Sequence, residues 1–174
     1  MEPDPTLSFH ERFSELFDAH FQHVYRYLNR VSGDPELAAD VAQETFVKLY
    51  QRGSVPDTPG AWLISVAMNL FRNAASTRSR RLRLLTPARG ERVLADAPPP
   101  PDQALEAEDS RKRIRLALDG MPDRERNLLL LRAEGYGYRE IAAALNLNEA
   151  SVGVLLARAR RAFREIYKEQ ADAS

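Results

Sequence analysis

Cysteine is absent from the 174 residues, which excludes structural disulfides, thiol nucleophiles and cysteine-ligated zinc. Long apolar runs are missing too. No stretch of about 18 apolar residues occurs, and the first residues, Met1 to Thr6, are acidic and proline-rich rather than basic and apolar. Neither a membrane span nor a secretory signal is therefore expected, and the reading is of a cytoplasmic protein without membrane insertion. The chain also lacks net charge, with 25 Lys and Arg against 25 Asp and Glu. Any affinity for nucleic acid must then come from how the charges are distributed. Strand-like alternation of apolar and polar residues is nowhere evident, so the predicted class is all-α.

The distribution of charge is uneven. Acidic residues dominate the first third (Glu11, Glu15, Asp18, Asp34, Glu36, Asp40, Glu44), whereas Arg78, Arg80, Arg81 and Arg83 cluster mid-chain and Arg158, Arg160, Arg161, Arg164 and Lys168 cluster near the end. One acidic face and two basic ones are implied. The 44% hydrophobic share is enough for two small cores.

Helical signals run in series. Phe9, Phe13, Leu16, Phe17, Phe21, Val24, Leu28 and Val31 recur at three- and four-residue steps, with Ser8 and Glu11 as a capping box and Gly33 as a stop. Asp34 and Pro35 pair an N-cap with proline at the first helical position, opening a second helix that buries Leu37, Val41, Thr45 and Leu49 and ends by Gly53. Thr58 and Pro59 repeat the signal, and Leu63, Val66, Ala67, Leu70, Phe71 and Ala74 line a third helix. Patterning then fails from about Thr86 to Pro101, where four consecutive prolines, Pro98 to Pro101, cannot sit inside a helix. It returns from Gln103 to Leu118 and from Asp123 to Ala133. We therefore expect two small helical domains, 1–84 and 103–174, joined by a flexible linker at 85–102 that is disordered when free.

The sharpest local motif follows. The turn Gly135-Tyr136-Gly137 leads into a short helix with Ile141, Ala142 and Leu145, then Asn146-Leu147-Asn148 and a longer helix. Asn148 suits an N-cap, and Val152, Leu155, Leu156, Ala159, Phe163 and Ile166 keep one face apolar while Arg158, Arg161 and Arg164 stay outward. Short helix, tight turn and longer basic helix describe a helix-turn-helix. Base edges would then be met by Asn148, Glu149 and Ser151, and phosphates by Arg139, Arg158 and Arg161. The plain alternative is a helical hairpin with a solvated basic face.

The stretch from Asp34 to Tyr50, DPELAADVAQETFVKLY, resembles region two of extracytoplasmic-function sigma factors of RNA polymerase, and Pro59 to Arg72, PGAWLISVAMNLFR, resembles their helix that melts the −10 promoter element. Linker and helix-turn-helix follow in that family's order. The resemblance implies core polymerase binding through Asp40, Gln43, Glu44 and Lys48, and −10 DNA contact through Trp62, Ser65, Asn69, Arg72, Arg78, Arg80 and Arg81. It also implies −35 contact through Arg139, Asn148, Glu149, Ser151, Arg158 and Arg161. The residues are consistent with these roles. Glu36, Asp40, Gln43 and Glu44 share one helical face, which by itself is what a solvated surface looks like. Trp62, Ser65, Asn69 and Arg72 join an aromatic ring, amides and a cation, the groups that hold unpaired bases, although core packing is an equal explanation for Trp62.

The same resemblance implies partners in core RNA polymerase and promoter DNA, and admits an anti-sigma protein that no residue here identifies. It would thread the linker, with Asp102, Glu106, Glu108 and Asp109, near the polymerase active site; a passive tether is the alternative. No cofactor is expected. His20 and His23 lie one turn apart, but no third ligand is recognisable, so no metal site is predicted. No nucleophile with a base, phosphate loop or carboxylate pair emerges, and an enzyme is not expected. Two other readings stay open: a conventional helix-turn-helix regulator acting without polymerase, and an interaction protein using the acidic face without DNA.

The departure from the family lies after Ser151-Val152. The family often places Lys, Ser and Arg there, and this chain has Gly153, Val154 and Leu155. Three polar chances for groove contact are lost, and Gly153 costs the helix about 1 kcal/mol relative to alanine.

Overall fold

The computed structural model describes residues 8–85 and 102–172, with the side chains of 79, 81–85 and 102–104 outside the described set. The expected linker at 85–102 falls almost wholly outside it. The described residues are all-α, in seven helices: α1 Phe9–Ser32, α2 Pro35–Arg52, α3 Pro59–Leu85, α4 Asp102–Asp119, α5 Asp123–Ala133, α6 Tyr138–Leu145 and α7 Glu149–Asp172. None of them singly is long and apolar enough to cross a membrane.

Local chemistry sets where the first two helices start and stop. At α1 the Ser8 hydroxyl accepts from the Glu11 amide while Glu11 accepts from the Ser8 amide, satisfying two donors that a helix start would otherwise leave orphaned. At α2 the Asp34 carboxylate accepts from the amides of Glu36 and Leu37, both at 3.1 Å. Gly33 and Gly53 end α1 and α2 at φ of 65° and 69°, a conformation that costs glycine nothing.

Packing groups the described residues into two compact units that do not follow chain order. The first holds residues up to Ser79 together with Leu130–Val152. Its core joins Val24, Tyr27 and Leu28 of α1 to Ala38, Val41, Ala42, Phe46 and Leu49 of α2 and to Leu63, Ile64 and Ala67 of α3. Thr45, buried in this core, donates its hydroxyl to the Val41 carbonyl at 2.8 Å, so its polar atom is not stranded. Along the outer half of α1, Phe13, Phe17 and Phe21 meet Phe46, with ring centroids 5.0 Å apart for Phe17 and Phe46. Arg78, near the end of α3, pairs with Asp34, tying that helix to the start of α2.

The second unit takes Arg80–Leu129 and Gly153–Ser174. Ala117, Met121, Leu128, Leu156 and Ala159 are buried in it. Phe163 and Tyr167 stack at 5.8 Å, and the Arg113 guanidinium lies 6.0 Å over the Tyr167 ring.

Asp34 carries both a helix cap and an ion pair, and its pKa is lowered, first by the Leu37 amide and then by Arg78. A depressed carboxyl contributes stability that is complete above its unfolded value, 3.8, and lost as pH falls through the folded value. Asp34→Ala is expected to lower the thermal midpoint at pH 7, with the gap to wild type closing as pH falls below 3.8. Circular dichroism melts across that range test it, and a gap independent of pH would contradict it.

Candidate functional site

Three faces are exposed where the residues have recognition chemistry. On α2, Glu36, Asp40, Gln43, Glu44 and Lys48 all lie at the surface, opposite the buried Val41, Thr45 and Leu49. The Lys48 ammonium sits 3.8 Å from Glu44, a one-turn pair that offsets part of the negative charge. Val47 and Tyr50, 44% and 51% exposed, extend this face with apolar surface.

On α3, Asn69, Arg72, Arg78 and Arg80 are exposed, whereas Trp62 and Ser65 are half-buried. The Arg52 guanidinium stands 5.6 Å over the Trp62 ring, so this aromatic is partly occupied within the protein. Ser65 donates its hydroxyl to the Ala144 carbonyl of α6 at 3.4 Å. Arg81 belongs to α3, but its side chain is outside the described set.

The third face is the helix-turn-helix. Gly135, at φ 92°, permits the turn out of α5. Glu140 reaches back to accept from the Gly137 amide at 2.9 Å, completing the start of α6. Asn146 closes α6 in the left-handed conformation, and the Leu147 amide bonds the Ala142 carbonyl at 2.8 Å. The axes of α6 and α7 bend by 90° across this break, within the range of DNA-reading helix pairs. Asn148 caps α7 as expected, its Oδ1 accepting from the Ala150 amide at 3.0 Å, which leaves its amide nitrogen as the donor for an outside group. Arg139, Asn148, Glu149, Ser151, Arg158 and Arg161 are all exposed.

Sequence reasoning missed a charged cluster inside the first unit. The Glu134 side chain, 2% exposed, receives Arg26 Nε at 2.9 Å and Arg30 Nη1 at 2.5 Å from α1. Beside it, Tyr136 is buried, and burial followed by the nearby carboxylates of Glu140 and Glu134 pushes its phenol up. His20 is half-buried, and desolvation draws its pKa below the usual imidazole value against the pull of Glu140. Gly60 of α3 lies against this cluster: a Cβ there would stand 2.7 Å from Glu140 Oε1 and 3.3 Å from His20 Cε1.

The family comparisons agree with the order of these faces. The model for sigma-70 region 2 matches residues 16–81 and that for sigma-70 region 4 matches residues 111–163. The chain belongs to the extracytoplasmic-function group of the sigma-70 family. It is 31% identical over 156 residues to the ECF RNA polymerase sigma factor SigE of Mycolicibacterium smegmatis, covering 88% of this chain and 60% of that one. It is 32% identical over 142 residues to the probable RNA polymerase sigma factor RfaY of Xanthomonas campestris pv. campestris, covering 77% and 35%. The ECF sigma factor SigM of Bacillus subtilis is 26% identical over 160 residues and is covered to 93% of its length. The chain thus spans less than two thirds of the first two relatives and nearly all of the third.

Among solved structures, the sigma factor RpoE in complex with the anti-sigma factor NepR from Bartonella quintana aligns with a TM-score of 0.62 at 18% identity, over 91% of this chain and 98% of that one. CnrH in complex with the cytosolic domain of CnrY aligns at 0.64 and 20%, over 92% and 90%. These likenesses establish the fold of this sigma-70 family member.

A buried carboxylate that loses its partners is costly, but here the arginines are 49% and 46% exposed and can rehydrate. Arg26→Ala and Arg30→Ala, each of which takes a partner from the buried carboxylate, are therefore expected to cost about 2 kcal/mol, and Glu134→Ala, which leaves only the rehydrated arginines, less than about 1 kcal/mol. Urea unfolding measures all three; a loss at Glu134 exceeding that at both arginines would contradict this ranking.

Proposed function

We propose that this chain is a transcription initiation factor that binds core RNA polymerase, directs it to specific promoters, melts the −10 element and recognises the −35 element. One observation carries the reading: the same short chain matches both the region 2 and the region 4 models, in that order. The domains are proposed as 1–84 for polymerase and the −10 element, 103–174 for the −35 element, and 85–102 as the tether. Asp40, Gln43, Glu44 and Lys48 are assigned to polymerase. Asn69, Arg72, Arg78, Arg80 and Arg81, with Trp62 and Ser65, are assigned to the opened −10 strand. Arg139, Asn148, Glu149, Ser151, Arg158 and Arg161 are assigned to the −35 duplex.

Exposed acidic side chains on α2 support docking to a basic partner, and an aromatic ring, an amide and arginines on α3 support the holding of splayed bases. The 90° helix pair supports insertion of the α7 start into a major groove. On this reading the protein is a specificity factor rather than an enzyme, working in the cytoplasm where polymerase is. An anti-sigma protein is a further proposed partner; the similar RpoE is complexed with one.

Transcription reconstituted from purified core polymerase and this protein tests the proposal. Promoter-specific initiation is expected only when the protein is present. Asp40→Arg and Glu44→Arg are each expected to weaken core binding about tenfold or more. Binding of free duplex by a dimer of this chain, with no affinity for core, would overturn the reading.

The reading also requires movement. Ser65, on the −10 face, touches Ala144, and Asn148, on the −35 face, is four residues further along the chain, at most about 15 Å away. The two promoter elements lie about 25 base pairs, or roughly 85 Å, apart on B-form DNA. The α6 contact must part before both are read. Because the chain has no cysteine, labels placed by Gln22→Cys and Ala143→Cys report the separation uniquely. It is expected to grow by tens of ångströms on forming the polymerase–promoter complex; an active complex with the free protein's separation would contradict this.

A further inference from the structure

The α7 helix turns by about 100° per residue, so its buried side chains define which residues lie opposite them. Val152, Leu156 and Ala159 are buried at 0% exposure. Measured from their mean direction, Val154 and Arg161 fall roughly 165–175° away, at the pole of the outer face, and Ala150 falls next at roughly 150°. Ser151 stands only about 105° away and Glu149 about 55°, so both lie on the flanks. Val154 is 58% exposed, among the largest exposures of any large apolar side chain in the described residues.

Distance along the axis separates the two polar positions. Counting 1.5 Å per residue from the Asn148 cap, Val154 lies about 9 Å into the helix, while Arg158 and Arg161 lie about 15 and 20 Å in. The major groove is about 12 Å wide. A helix entering by its N-terminus thus carries Val154 into the groove and leaves the arginines at its phosphate margin. Side chains of a helix also lean toward its N-terminus, which moves the valine methyls further in.

We propose that Val154, with Ala150 beside it, reads the C5-methyl of a thymine in the upstream promoter element. This deepens the proposed function and rests on it. The chemistry admits one target, because among the groups that the four base pairs display in the major groove only the thymine methyl is apolar. An apolar pole flanked by Ser151 and by phosphate-binding arginines fits a groove that presents such a methyl. It fits cytosine or guanine less well, because their exposed amine or carbonyl would lose water to the valine without gaining a partner. Gly153, Val154 and Leu155 then make a different reader rather than a weakened one.

The test uses the full chain bound to core polymerase. Duplexes randomised in the upstream element are selected for binding, and each thymine of the enriched sequence is then replaced in turn by uracil, which removes only the methyl. At one or two positions the wild type is expected to lose about three- to fivefold in affinity, the equivalent of one buried methyl group. Val154→Ala, a substitution at an exposed site that favours helix, should bind the thymine duplex more weakly and show no penalty for uracil there. In the wild type, 5-methylcytosine at that position should bind better than cytosine. Wild-type indifference to uracil at every upstream thymine would overturn the assignment, as would a uracil penalty retained by Val154→Ala. A Val154→Ala defect confined to core binding, without methyl dependence, would assign the valine to polymerase instead and also overturn it. If the complex forms and no upstream sequence is enriched, the −35 reading falls and this inference with it.

Discussion

A carboxylate at 2% exposure must be paired, because an unpaired charge in that setting costs several kcal/mol. Glu134 meets that demand through Arg26 and Arg30 of α1, and much of the first unit depends on the arrangement. With the end of α5 held against α1, Tyr136 is buried, Glu140 reaches the Gly60 end of α3, and the α6 carbonyl of Ala144 comes to Ser65. Charged and polar groups make the contacts at Glu134 and at Ser65. The half-exposed arginines can regain water or find another anion, so such an interface parts at lower cost than an apolar one.

Much of the fold was legible because the signals that start and stop helices act within a single turn. Ser8 with Glu11, Asp34 with Pro35, and Asn148 each cap the helix that their spacing implies, and the apolar period then sets which side of each helix is buried. Glu134 offers no such signal. In sequence it follows an ordinary Leu-rich helix, and its partner Arg26 lies 108 residues away, a pairing that no local pattern encodes. The same limit explains Trp62 and Ser65. Both were legible as members of a face, but Arg52 over the indole and Ala144 at the hydroxyl come from other elements.

The α7 face was half legible for a different reason. Periodicity separated its apolar stripe from its arginines and left Val154 off that stripe, but a valine has no polar group to mark it as a base reader, and its place at the outer pole follows from the phase of the folded helix. Residues chosen for polarity, Glu149 and Ser151, sit on the flanks of that helix.

Charge balance fits the proposed role in the same physical terms. Equal numbers of basic and acidic residues deny the free chain a general pull toward DNA. An outer pole of valine and alanine in α7 adds little affinity, since one methyl contact discriminates between bases without holding a duplex. Affinity must therefore be supplied by something that brings the helix to its site at high effective concentration, and the proposed docking of a large nucleic-acid-binding partner on the α2 face would do so. On that reading the weak groove contacts of α7 are a requirement rather than a defect. A recognition helix that bound tightly alone would occupy promoters without polymerase, whereas one that discriminates without binding tightly acts only when the acidic face is already engaged.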